Sequence, residues 1–182
     1  MSERSTRDVI IDAARRLFVE RGYTLTTIRD IADAADVSPA LVMKLTGSKS
    51  ELFQAAAQEA PTVEETAHQS ESLGCRMVRA LVERRDSGEF EYWAIAPFIL
   101  QEAPDRAAAR EKMTAGFVPR IAAAVGDDSA GQVRSRLVVT LMLGLASGLR
   151  TFEIVTPDVI ESSSLIETYG ALVQNIIDND EL

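Results

Sequence analysis

The sequence predicts an all-α protein of about nine helices, a three-helix helix-turn-helix domain followed by a larger helical domain. Three observations predict it. Apolar residues recur at spacings of three and four, with no alternating stretch of the kind a half-buried strand requires. Pro61, Gly74, Gly88, Pro104, Gly126 and Pro157 divide the chain into helix-sized pieces. Between Thr26 and Phe53, the segment TTIRDIADAADVSPALVMKLTGSKSELF holds three short helices with explicit start signals.

The first helix is RDVIIDAARRLFVERGY. Val9, Ile10, Ala13, Ala14, Leu17 and Phe18 share one stripe while Arg7, Asp12, Arg15 and Glu20 face away, the pattern of a packed surface helix. Arg21 and Gly22 close it with a cation against the carbonyl end and a residue that accepts positive φ, and Tyr23 covers the edge of a small core. Thr27 caps a second helix whose apolar positions are Ile28, Ile31, Ala32 and Ala35. Asp36 tolerates a left-handed turn, and Val37 plugs the corner. Ser38 then caps a third helix with Pro39 at its first position, where a missing N–H has no partner to lose. Gly47 ends that helix. Ser48 and Glu51 form a capping-box signature that sets Lys49 in a first turn whose free N–H groups attract anions.

Behind the head, helices are expected over 48 to 60, once or twice within 62 to 85, and over 89 to 102, 105 to 125, 129 to 154 and 158 to 179. No linker or low-complexity segment intervenes, so residues 1–53 form the head and 54–182 the body, joined by a helix stiff enough to transmit displacement. The segment EFEYWAIAPFILQEAP, residues 89 to 104, holds Phe90, Tyr92, Trp93 and Phe98, and Pro97 removes a helical hydrogen bond there and kinks the run. With Met77, Met113, Phe117 and Met142 these residues fit the wall of an apolar, adaptable pocket; they fit an ordinary helical core as well. Glu89, Glu91 and Glu102 read as surface charge.

In 129 to 154 apolar residues occupy every side of the helix, and Gly144, Ser147 and Gly148 admit a close neighbour. The last helix carries a wide stripe of its own. Leu141, Leu145, Gly148 and Phe152 with Leu165, Tyr169, Leu172 and Ile176 therefore form a candidate two-fold seam; interior helices of a monomer are the other reading.

The chain has 182 residues, 46% of them apolar, which suffices for a sizeable core. Cys75 is alone and cannot form an internal disulfide, the N-terminus lacks the apolar run of a secretory signal, and the run from Leu137 to Leu149 is too short and interrupted to span a membrane. A cytoplasmic protein is expected. The net charge of -9 runs against nucleic-acid binding until its distribution is considered. The first 55 residues hold eight bases and eight acids, so the whole acidic excess lies in the body and leaves Arg4, Arg7, Arg29, Lys44 and Lys49 free to line one face of the head.

From residue 7 to 53 the order and spacing of RDVIIDAARRLFVERGY, TTIRDIADAADVS and GSKSELF resemble the TetR type of transcriptional regulator. Beyond residue 55 the likeness is one of architecture. The resemblance implies a homodimer whose heads meet successive major grooves of a palindromic operator, and a small-molecule effector bound in the C-terminal domain, most simply with release of a repressor. It implies base contacts from Arg29, Pro39, Ala40, Leu41 and Lys44, with Thr27, Ser38 and Lys49 on phosphates. Arg29 and Lys44 suit guanine edges, and Ala40 and Leu41 suit thymine methyls. Relatives place Tyr at the position of Met43 and Phe at that of Thr46, so the phenolic donor and the brace before Gly47 are altered here.

Enzymatic readings find little support. His68 has no partner suggested by the sequence, Cys75 reads as a small packing residue, Glu64 with Glu65 and Asp127 with Asp128 read as solvated turns or caps, and no metal spacing or phosphate cradle occurs, so no cofactor is expected. A dimeric binding module with a degenerate head is the alternative to a regulator, and a helical enzyme the distant third.

Overall fold

The computed structural model describes residues 5–57, 70–89, 91–103 and 105–182; Arg4, Pro61, Glu64, Glu65, His68, Phe90, Pro104, the end of the joining helix and the side chains of Tyr92 and Glu102 lie outside the described residues. Among those described there are nine helices and no strand: α1 (Thr6–Leu25), α2 (Ile28–Ala34), α3 (Pro39–Thr46), α4 (Lys49–Ala57), α5 (Leu73–Asp86), α6 (Tyr92–Glu102), α7 (Arg106–Val125), α8 (Val133–Arg150) and α9 (Ser162–Ile177). They form two compact units. The first takes the described residues of Met1–Ala60 and Gly88–Ala103, and the second those of Pro61–Ser87 and Pro104–Leu182. The aromatic-rich α6 thus packs with the head, against α1 and α4.

In the first unit α1 starts from a capping box in which the Ser5 hydroxyl accepts the Asp8 N–H and the Asp8 carboxylate accepts the Ser5 N–H, each at 3.2 Å. Gly22 interrupts the helix at φ 75°, the conformation its position demands. Ile10, Ala13, Ala14, Leu17 and Phe18 are buried as their spacing requires, but Val9 stays 39% exposed, one residue and about 100° round from Ile10 at the margin of the stripe. Arg15 does not face away. It is half-buried, its Nε donating to the Ala56 carbonyl at 3.1 Å and its Nη1 to Asp12 at 3.2 Å, so that its stem lies along the packed surface and its head ties α1 to α4. The rings of Phe18, Tyr23 and Phe53 meet at centroid distances of 4.8 to 5.7 Å and fill the centre of the unit. On α6, Ala94, Ala96 and Ile99 are buried. Glu91 is not surface charge: it is 4% exposed, and its carboxylate accepts the Trp93 N–H as the cap of α6. The helix continues through Pro97.

In the second unit α5 and α9 form the most extensive helix pair. A Cβ added at Gly74 would lie 2.4 Å from the Gly170 carbonyl oxygen and 2.6 Å from the Gln174 nitrogen, and one added at Gly170 would lie 2.6 Å from the Cys75 sulfur. The backbones therefore cross almost in contact, sealed by the Gly74 N–H donating to Gln174 Oε1 at 2.9 Å, and Cys75 is the packing residue its composition suggested. Met77, Val78, Leu81 and Val82 of α5 are buried, as are Val138, Met142, Leu145 and Leu149 of α8 and Leu165, Ile166 and Val173 of α9.

The ends of α8 and α9 differ from the sequence reading for local reasons. Asp127 is a cap, but a buried one at 1% exposure, and its carboxylate accepts the hydroxyls of Ser129 and Ser135 at 2.7 and 2.6 Å and their N–H groups at 3.3 and 3.0 Å. The Ser135 hydroxyl above all holds this carboxyl well below the ordinary carboxylate range. The chain is thus still turning at 129, and α8 begins at Val133. At the far end the Ser147 carbonyl accepts the N–H groups of both Thr151 and Phe152 at 2.9 Å and Glu153 turns to φ 47°, so the helix stops at Arg150 and Phe152 falls in the following loop. The Thr156 carbonyl likewise gathers the N–H groups of Val159 and Ile160, which delays α9 to Ser162. Among the described residues no helix is long and apolar enough to cross a membrane.

Gly74→Ala is expected to lower the urea midpoint of unfolding by an amount equivalent to about 1–3 kcal/mol, since the new methyl meets backbone that cannot rotate away. Gly116→Ala on α7, where a Cβ meets nothing within 4 Å, is expected to leave it unchanged or raise it.

Candidate nucleic-acid interface

Three successive caps fix α2, α3 and α4. The Thr27 hydroxyl accepts the Asp30 N–H at 3.1 Å while the Asp30 carboxylate accepts the Thr27 N–H at 2.8 Å; the Thr27 hydroxyl foremost, then its N–H, keep that carboxyl below its usual range. Arg21 lies 3.8 Å from Asp30 across water-exposed surface, a pairing of small consequence. The turn follows. Asp36 adopts φ 54°, the left-handed conformation its residue type tolerates, and the Val37 N–H donates to Ala32. The Ser38 hydroxyl then accepts the Leu41 N–H at 3.2 Å with Pro39 at the first helical position. Gly47, at φ 76°, ends α3, and Ser48 and Glu51 close a reciprocal box at the start of α4.

This scaffold leaves one face of α3 open. Val42 and Thr46 are buried, Leu41 and Leu45 half-buried, and Pro39, Ala40, Met43 and Lys44 exposed. Positions 39, 40, 43 and 44 fall on a single strip by helical spacing. Arg29, Thr27 and Ser38 are exposed in the same unit, and Lys49 is half-buried with its Nζ 4.3 Å over the Tyr23 ring. Of the eight residues expected to meet nucleic acid, Leu41 offers the least surface among the base-directed ones. Met43, 45% exposed, is not among the eight but shares the strip with Ala40 and Lys44. Thr46 turns inward, its hydroxyl donating to the Val42 carbonyl at 2.7 Å.

The residues expected to line an effector pocket fall on both units. Trp93 is half-buried and Phe98 exposed on α6 of the first; Met77 and Met142 are buried, and Met113 and Phe117 half-buried, in the second. A groove of about 450 Å³ opens in the second unit along α7 and the start of α8, lined by Ala107, Arg110, Thr114, Val118, Gln132 and Arg136 among others, and none of the expected pocket residues lines it. Of the candidate seam, Leu145 and Leu165 are taken up by the unit's own core at 3% and 1% exposure. Their neighbours Leu137, Leu141, Gly144 and Gly148 on α8 and Tyr169, Leu172 and Ile176 on α9 keep accessible surface, as does Phe152 in the loop.

Residues 10–56 match the family model described as bacterial regulatory proteins, tetR family, and residues 71–177 match that of the tetracyclin repressor-like C-terminal domain. Among solved structures the chain is similar to a TetR-family regulator from Streptomyces coelicolor, at 26% identity over 98% of this chain and 100% of that one, with a TM-score of 0.59. It is also similar to the multidrug binding protein EbrR, solved with proflavin, at 20% identity over 94% and 99% with a TM-score of 0.58. NalD, the secondary repressor of the MexAB-OprM multidrug efflux pump in Pseudomonas aeruginosa, is similar at 23% identity over 90% and 94% with a TM-score of 0.52. No curated protein matches the sequence.

Ser38→Ala is expected to cost about 1 kcal/mol of stability by removing the cap of α3, read as a lower urea midpoint with an unchanged slope.

Proposed function

This chain belongs to the TetR family of bacterial transcriptional regulators, and from that membership we propose that it is a repressor that holds a palindromic operator as a homodimer and releases it when a small apolar effector binds. The observation that carries the reading is the exposed strip of α3, started by Ser38 and Pro39, with Arg29 exposed on α2 before it and Lys49 half-buried at the start of α4 after it. A helix about 10–12 Å across fits a major groove about 12 Å wide. In this reading Arg29 and Lys44 address guanine edges, Pro39, Ala40 and Leu41 supply apolar contact, and Thr27, Ser38 and Lys49 hold phosphates. With the whole acidic excess in residues 56–182, the net-neutral head is the part of the chain that a duplex approaches, acting in the cytoplasm.

The accessible faces of α8 and α9 support the seam. Leu137, Leu141, Gly144 and Gly148 follow one another at helical spacing, and a Cβ at Gly144 or Gly148 meets nothing within 4 Å in the single chain, space that a partner helix can occupy. Within the second unit Met77, Met113, Phe117 and Met142 suit an apolar effector, in keeping with EbrR, which was solved with proflavin, and NalD, a repressor of an efflux pump.

Incubation of the purified protein with sheared host DNA is expected to enrich a palindrome whose log affinity falls linearly with log salt, and Lys49→Ala is expected to reduce the steepness of that slope by about 0.9. A folded dimer that enriches no duplex at low salt would overturn the repressor in favour of a binding module with a degenerate head. Gly148→Leu is expected to weaken the dimer by about tenfold or more in sedimentation while each chain keeps its helical content.

A further inference from the structure

The open strip of α3 is poor in hydrogen-bonding groups. Pro39 has no N–H, Ala40 ends in a methyl, and Met43, 45% exposed, carries only a thioether. The one hydroxyl within the helix, on Thr46, is buried and donates to Val42. The Ser38 hydroxyl already accepts the Leu41 N–H at the cap. Lys44 alone on the strip carries a free donor group to a base edge, so three of its four positions are apolar.

Such a surface discriminates sharply among base edges. An apolar side chain set over guanine N7 and O6, adenine N6 or cytosine N4 strips water from a polar group and replaces none of its hydrogen bonds. Over the C5-methyl of thymine, the one apolar group that the major groove displays, both surfaces leave water together. Met43 suits this contact further because its unbranched, polarizable chain follows the position of a methyl that a rigid side chain would miss.

We infer that Met43, together with Pro39 and Ala40, reads thymine C5-methyl groups, so that each half-site is thymine-rich beneath α3, with Lys44 marking a single guanine. The inference rests on the DNA-binding reading above and adds to it the base class that the reading helix selects. Met43 becomes a specificity-determining residue of the reading helix.

The test uses the full-length protein and duplexes enriched at low salt from a pool with a randomised centre. Each enriched thymidine is replaced in turn by deoxyuridine, which keeps every hydrogen-bonding group and deletes only the methyl. The expected result is a loss of about fourfold in affinity at each contacted thymine. Met43→Ala is expected to abolish that loss at one position of the half-site and keep it at the others, and Met43→Leu to retain it; both variants alter an exposed side chain and are checked by an unchanged urea midpoint. An enriched duplex indifferent to the exchange at every position, or a Met43→Ala variant that keeps every loss, overturns this inference and leaves DNA binding standing. Failure to enrich any duplex removes both.

Discussion

Three rings in mutual contact hold the small first unit together. Phe18 comes from α1, Tyr23 from the segment after the Gly22 break and Phe53 from α4, and their edges and faces meet at 4.8 to 5.7 Å. A unit built from four short helices and α6 buries little surface for its length, so a few large side chains carry a disproportionate share of its cohesion. They also fix geometry. With α4 held against α1, the capped turns have fixed anchors at both ends, and α3 can turn one face fully to solvent without loosening. Lys49 lies over the Tyr23 ring, which sets a cation against that aromatic core at the start of α4.

Much of this unit was legible in the sequence because its decisive features are local. A left-handed residue, a Ser-Pro start, a terminating Gly and a Ser with a Glu three positions on are each read from neighbours in the chain, and Asp36, Ser38, Gly47 and Glu51 act as those patterns require. What escaped is nonlocal. No periodicity reveals that Arg15 reaches the carbonyl of Ala56, that Gly74 and Gly170 let two helices meet a hundred residues apart, or that α6 packs with the head. The termini of α8 and α9 escaped for an intermediate reason: Asp127 and Thr156 gather several N–H groups at once, and hydropathy does not register such knots. On α3 the helical spacing alone sets Pro39, Ala40, Met43 and Lys44 on one strip, and all four are exposed.

The second unit is held differently, by helix ends as much as by its core. At one end Arg134 donates to the carbonyls of Ile177 and Gly126 and meets Asp180, joining the finish of α7, the start of α8 and the finish of α9. At the other, Arg85 bridges Asp86 and Ser162, and Arg150 donates to the Arg84 carbonyl. Guanidinium groups thus satisfy carbonyls that helix termini would otherwise leave bare, with the charge placed where the helix dipole favours it. Between these ends the unit is filled chiefly by Val, Leu and Ile, with Met77 and Met142 among them.

The early stop of α8 leaves Phe152, Ile154 and Val159 in a loop, each with 68% of its surface in water. Hydration of that much greasy area raises the free energy of every solitary molecule roughly in proportion to the area wetted. Any surface that covered these three side chains would recover that cost in proportion to the area it withdrew from water.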